Sequence, residues 1–196
     1  MPKDFYIFRH GQSTYNIDGR IQGRTNDSVL TDLGKSQALE LGKKLNGRGI
    51  EVIISSPLTR AMQTTELANK ALNIPVVVDE HFIEVDVGVV EGMQYKDVMT
   101  QYKDIFEKLH SPNLKECMDI CYPQGETKRQ VCKRIWQGLQ NWCNCPEEYH
   151  KIAISSHGIA LAQIMNTLGQ QINDVKNGAI LHIVEENGQW KIIEMM

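Results

Sequence analysis

The chain has 196 residues, 41% of them hydrophobic and 23% charged, with 15 glycines and 6 prolines. That suits a single globular domain over residues 1–196 and excludes disordered, collagen-like and low-complexity classes. A net charge of −3 argues against a nucleic-acid partner, and apolar runs well short of the ~18 residues a spanning helix needs argue against a membrane one.

In chain order, residues 4–8 (DFYIF) read as a short strand ending at Arg9-His10-Gly11. Arg9 closes this apolar stretch too early for a signal peptide. Thr31 or Asp32 caps a helix in which Ala38, Leu41, Gly42 and Leu45 recur at helical spacing, stopped by Gly47 and Gly49. Residues 51–54 form a second strand. Ser55-Ser56-Pro57 then opens a helix carrying Ala61, Leu67, Ala68 and Ala71, and 76–78 is a third strand. Residues 79–95 have no clean period and read as loop. Val98, Tyr102, Ile105 and Leu109 make one helical stripe, broken near Pro112. Beyond a Pro123–Gly125 turn, Val131, Ile135, Leu139 and Trp142 mark another helix. A strand over 152–155 leads to Ser156-His157-Gly158 and a helix running through Leu168. Two last strands, about 179–184 and 190–194, meet at an Asn187-Gly188 hairpin turn. This alternation implies an α/β fold: a three-layer sandwich with a mainly parallel central sheet and helices on both faces.

The five cysteines, Cys117, Cys121, Cys132, Cys143 and Cys145, are odd in number and lack paired metal-ligand spacing. They suggest free thiols in a reducing, cytoplasmic setting, with no bound metal and no cofactor.

Sites in open α/β sheets form beyond the carboxyl ends of strands. Three such ends carry chemistry here: Arg9-His10, the Ser55-Ser56-Pro57 segment leading to Arg60, and His157-Gly158. Arginine forks suit phosphate oxygens, a neutral imidazole can attack phosphorus, and Gly11 and Gly158 allow backbone amides close to an anion. Taken singly, each residue has an ordinary explanation, such as a core histidine, a solvated arginine or, for Glu84, a surface carboxylate. Ser13 lacks the second glycine of a nucleophile elbow and reads as a locally bonded loop hydroxyl. The combination points to a phosphate pocket built from side chains.

Six blocks in order along the chain carry a resemblance: FRHGQSTYN (8–16), RIQGRTNDSVLTDLGKSQA (20–38), SSPLTRAMQTTE (55–66), IEVDVGVVEG (83–92), QGET (124–127) and SSHGIALAQIM (155–165). Together they resemble the histidine phosphatase superfamily, in its phosphoglycerate mutase-like branch. The resemblance implies that His10 is a nucleophile that becomes phosphohistidine. It implies further that Arg9 and Arg60 clamp the phosphoryl oxygens, that His157 donates to the same group, and that Glu84 protonates the leaving oxygen. Asn16, Gln22, Gly23 and Gly158 match positions lining the phosphate pocket.

The family holds both mutases and phosphatases. Similar mutases carry a tyrosine three residues after the acid and a lysine further on, where this chain has Val87 and Tyr95. Their adjacent arginine pair is missing, since only Arg129 and Arg134 follow Arg60, and Ile159 replaces the asparagine after His-Gly. The expected function is therefore a metal-independent phosphomonoesterase acting on a small phosphorylated substrate. Phosphoglycerate mutase is the alternative, and a catalytically idle phospho-ligand binder is a second one. A rim or lid over about 85–128 is expected to select the leaving group.

Overall fold

The computed structural model describes residues 2–111, 113, 117–146, 149–172 and 174–196. Its centre is a six-stranded sheet of β1 (Lys3–Arg9), β2 (Val52–Ser55), β3 (Val76–Val78), β4 (Lys151–Ser156), β5 (Ile180–Glu186) and β6 (Gln189–Met195). The strands lie in the order β3-β2-β4-β1-β5-β6. Pairings among β3, β2, β4 and β1 are parallel; β5 and β6 add an antiparallel hairpin. Its turn falls at Asn187-Gly188, both at positive φ, as a tight hairpin requires.

Alternation along the strands sorts the core into two halves. Tyr6, Phe8, Ile53 and Ala153 face one side. There they meet Leu41 and Leu45 of α2 (Asp32–Leu45) and Ala68 of α3 (Thr59–Leu72). Phe5, Ile7, Val52, Ile54, Ile152 and Ile154 face the other side. They pack on Val131, Ile135 and Leu139 of a helix over Lys128–Cys143 and on Leu161 and Ile164 of one over Gly158–Thr167. Burial on both faces explains why β1, β2 and β4 read as nearly continuous apolar runs. Truncating Leu41 or Leu45 to alanine would cost ~2–5 kcal/mol.

The remaining helices are α1 (Thr14–Asp18), α4 (Tyr95–Gln101) and α5 (Lys103–Leu109); the two long ones packed on β4 become α6 (Lys128–Cys143) and α7 (Gly158–Thr167). Several expectations change in detail. α3 starts at Thr59, leaving Ser56 and Pro57 outside it, and its buried face holds Arg60, Thr64 and Thr65 rather than Ala71, which is exposed. The stripe through Val98, Tyr102, Ile105 and Leu109 is two helices, because Tyr102 leaves helical geometry at φ −121°, ψ 35°. The 79–95 stretch contains two short 3₁₀ turns, Glu80–Phe82 and Gly88–Val90. α1, carrying Asn16, was not expected at all. Pro112, the expected helix breaker, lies outside the described residues.

Candidate active site

Sheet register alone brings the three strand ends together. Arg9 pairs with Ser156, and Ser155 pairs with both Phe8 and Ser55, so Ser56 lies level with Ser156 and Arg9, and His10 and His157 follow side by side one residue further on. The pattern runs one residue past the strands, where the His10 N–H donates to the Ser156 carbonyl at 3.1 Å and the Ser56 N–H to Ser155 at 2.9 Å.

His10 is buried, and its Nδ1 lies 2.7 Å from the Gly11 carbonyl. A carbonyl only accepts, so Nδ1 carries the proton and Nε2 presents a lone pair. Arg60 Nε donates to that Nε2 at 3.3 Å. Burial, followed by the charges of Arg60 and Arg9, holds the imidazole well below its usual pKa of 6.5. The ring is therefore neutral at physiological pH and oriented by its own loop. That loop is fixed in turn: the Gly11 N–H donates to Thr64 Oγ1 at 3.1 Å, and a methyl added at Gly11 would sit 2.3 Å from the Gly34 carbonyl oxygen.

Arg60 is 1% exposed, far from a solvated helix residue. Its Nη2 and Nη1 donate to the carbonyls of Gly23 (2.7 Å) and Thr25 (2.9 Å), which leaves the guanidinium plane spanning His10 and the 23–25 turn. Burial, partly opposed by Glu84, lowers its pKa to about 10, so it stays cationic. Arg9 lies across Gly158. A Cβ there would stand 3.3 Å from the guanidinium carbon, a tight contact that would shift Arg9 by a few tenths of an ångström. Arg9 Nη1 donates to the Val175 carbonyl and pairs with Asp174 at 3.5 Å, while its buried Nε has no partner among the described residues. His157 is fully buried and edge-on to His10, ring centroids 5.3 Å apart. Its Nε2 is 2.7 Å from Ser56 Oγ, and its Nδ1 has no partner among the described residues. Burial and the nearby cations push its pKa down as well.

Glu84 is 8% exposed. Its Oε1 accepts from the Val85 N–H at 3.0 Å and its Oε2 from the Ile159 N–H at 3.3 Å, in the first turn of α7. Its backbone is anchored by groups that sequence reasoning missed. Arg134 reaches the carbonyls of His81 (2.7 Å), Ile83 (2.8 Å) and Glu84 (3.5 Å), and Arg24 Nε donates to Glu84 at 3.2 Å. Glu126 joins the two arginines, taking a two-pronged bond from Arg134 (3.1 and 2.9 Å) and one from Arg24 (3.1 Å). Burial works against ionisation of Glu126, but Arg134 and Arg24 prevail and hold its pKa below the usual carboxylate value. Asp86, the nearest substitute acid, caps the Gly88 N–H at 2.8 Å and faces Arg24 at 3.8 Å.

Asn16, Gln22, Gly23 and Gly158 all line one cavity with Arg9, His10, Arg60 and Glu84. The Asn16 carbonyl oxygen accepts from the Ser13 N–H at 3.0 Å and from Asn177 at 3.3 Å; that of Gln22 accepts from the hydroxyls of Ser13 (2.8 Å) and Ser28 (3.0 Å). With their oxygens engaged, both side-chain amides are left with NH₂ donors. Asn177, which also donates to the His10 carbonyl at 3.0 Å, is another residue the sequence gave no sign of. The cavity measures about 570 Å³, and its outer wall includes Val85, Val87, Tyr95, Phe106, Leu109 and Tyr122 from the expected rim. No group of three or more His, Cys, Asp or Glu among the described residues is placed to hold a metal, and no described helix is long and apolar enough to cross a membrane.

An α/β sheet covered by helices on both faces, whose parallel strands end in a neutral imidazole flanked by buried arginines, has the donors and the nucleophile that chemistry on an anionic group requires. The chain belongs to the histidine phosphatase superfamily (branch 1), whose family model matches residues 5–196. Among curated proteins it is 31% identical over 191 residues to "Probable phosphoglycerate mutase GpmB" of Proteus mirabilis, covering 94% of this chain and 86% of that one. Among solved structures, a phosphoglycerate mutase from Bacillus anthracis superposes with a TM-score of 0.88 at 21% identity, covering 98% and 92% of the two chains. The alpha-ribazole phosphatase from Shigella flexneri gives 0.81 at 20%, covering 97% and 94%. A mycobacterial glucosyl-3-phosphoglycerate phosphatase also gives 0.81 at 20%, covering 97% of each chain. These structural likenesses define the fold; family membership supports an enzyme of the phosphatase or mutase kind.

Proposed function

We propose that this chain is a phosphomonoesterase that works through a phosphohistidine at His10. The observation that carries the reading is the tautomer: Nδ1 is committed to the Gly11 carbonyl, so the lone pair is on Nε2, among buried cationic donors. Nε2 attacks the ester phosphorus, the N–P bond forms, and the bond from phosphorus to the ester oxygen breaks. The Glu84 carboxyl gives its proton to the departing alkoxide. The resulting carboxylate then takes a proton from water, whose oxygen attacks the phosphohistidine and returns His10 and free phosphate.

Arg60, Arg9 and the NH₂ groups of Asn16 and Gln22 meet the charge that develops on the equatorial oxygens, while His157, fully buried behind His10, lies outside the cavity lining and would have to turn its ring to add a further donor. The Gly158 backbone adds close approach, and the Gly23 carbonyl holds Arg60 in place. With this positive charge supplied by side chains, turnover needs no divalent ion. Phosphatase is favoured over mutase because the outer wall offers little grip for a substrate carboxylate. Lys128 Nζ already donates to the Leu109 carbonyl at 2.6 Å, and Arg20 Nη1 to Gly92 at 2.8 Å. Mutase, the second reading, is favoured by the name of the Proteus mirabilis relative.

The test is a hydrolysis screen over phosphate monoesters with chelator present, beside a coupled phosphoglycerate isomerisation assay primed with bisphosphoglycerate. Chelator-resistant hydrolysis and no isomerisation are expected. Primer-dependent isomerisation faster than hydrolysis would favour the mutase, and no turnover in either assay would favour an idle binder.

A further inference from the structure

The wall opposite the phosphoryl pocket indicates what kind of alcohol leaves. From the geometry we infer that the substrates are monoesters of bulky, uncharged, apolar alcohols, a deepening that rests on the phosphomonoesterase reading. One side of the cavity presents Ile21, Val87, Tyr95, Phe106, Leu109 and Tyr122; α7 and the segment after it present Ile159, Ala162 and Ile172 from the other. Tyr95 is 44% exposed and Ile159 38%, so these two side chains offer uncovered apolar surface, while Val87, Tyr122 and Ala162 are buried and Ile21, Phe106, Leu109 and Ile172 back the wall from the core. The aromatic rings are also held in place by one another. Tyr95 meets Phe106 edge-on at 5.2 Å, Phe106 stacks on His110 at 4.1 Å, and Tyr102 meets Tyr122 at 5.8 Å. Such a wall loses little entropy when a ligand settles on it.

Size and charge agree. About 570 Å³ lies within the range of pockets for drug-sized ligands, whereas a three-carbon phospho-acid would leave most of the volume to water. Of the cationic side chains lining the outer part, Lys128 donates to the Leu109 carbonyl and Arg20 to that of Gly92, and Arg20 also lies over the Tyr15 ring at 5.8 Å. The acids Asp86, Glu126 and Asp174 share that lining. A carboxylate on the leaving group would meet repulsion from these acids, while an alkyl or aryl group would be withdrawn from water against matching surface.

The experiment holds the chemistry constant by using primary alkyl phosphates from ethyl to hexyl, 2-phenylethyl phosphate, and the hexyl ester with a carboxylate in place of its terminal methyl. The leaving oxygens are then of similar basicity. The value of kcat/KM is expected to climb roughly fourfold per added methylene, and to fall back toward the ethyl value for the carboxylated ester. In a Tyr95→Ser, Leu109→Gln protein the climb should flatten. A flat series, a preference for the carboxylated ester, or an unaltered climb in that double variant would overturn the inference while leaving a phosphomonoesterase standing. If no ester is hydrolysed, the phosphatase reading fails instead. The same series, titrated calorimetrically into the wild-type protein, then decides the wall: affinity rising with chain length upholds it and chain-independent affinity overturns it.

Discussion

Two imidazoles buried uncharged should make this fold lose stability as the pH falls below about 6.5, the usual histidine value. His10 is held neutral by burial, then by Arg60 and Arg9; His157 by burial, then by Arg60, His10, Arg9 and Arg134. Unfolding exposes both rings to water, where they bind protons below pH 6.5, while in the folded chain they stay neutral until much lower. The unfolded state thus binds more protons, and stability is full above pH 6.5 and lost progressively as the pH drops toward the folded-state values. Each ring that protonates only on unfolding contributes about 1 kcal/mol between pH 6 and pH 5, so the pair contributes about 2 kcal/mol. Urea unfolding in phosphate-free buffer at half-unit steps measures this directly. The control is a His10→Asn, His157→Asn protein, which keeps every other titrating group. The wild-type loss from pH 6 to 5 should exceed the control's by about 2 kcal/mol. Parallel curves for the two proteins would mean that the rings are not buried neutral and would remove the basis for an unprotonated Nε2.

Three further outcomes follow from the site. Glu84→Gln should slow alkyl phosphates by ~10²–10⁴ but nitrophenyl phosphate much less, checked by a leaving-group plot; equal losses across leaving groups would move the acid elsewhere, with Asp86 the next residue to mutate. Arg60→Met should lower kcat/KM by ~10²–10³ and raise the His10 pKa, read by NMR titration, because burial remains but the second-largest cause of its depression is gone. Glu126→Gln should destabilise the fold by about 2 kcal/mol, since Arg134 and Arg24 lose their shared carboxylate, and should lower kcat more for alkyl than for nitrophenyl esters by loosening the Glu84 backbone.

What the sequence revealed and what it hid have physical reasons. Arg9, His10 and His157 could be placed because parallel pairing in register carries neighbouring strand ends to one level, and each of these strands is marked by an unbroken apolar run. Arg60 could be placed near them but its burial could not be read, because α3 buries this arginine and two threonines beside the alanines Ala61 and Ala68. The Arg24–Glu126–Arg134 hub was invisible for a different reason. Its members are scattered along the chain, each resembles a surface charge, and only the fold of the 79–95 stretch supplies the carbonyls they share. Helical spacing continues through Tyr102, so periodicity gave no sign of the break between α4 and α5. The far wall at Ile172, Asp174 and Val175 lies in an aperiodic connection after α7, where no local pattern points to a pocket.

The central claim is that phosphorus passes through His10, and trapping the intermediate tests it most directly. Wild-type and His10→Ala proteins would be mixed with a ³²P-labelled monoester and quenched in alkali within the first turnover, then digested and mapped. The expected result is a label that survives alkali, is lost in acid, and sits on the peptide containing His10, with longer persistence in Glu84→Gln and none in His10→Ala. Turnover with no protein-bound label at any time, or an equal label in the His10→Ala protein, would contradict it.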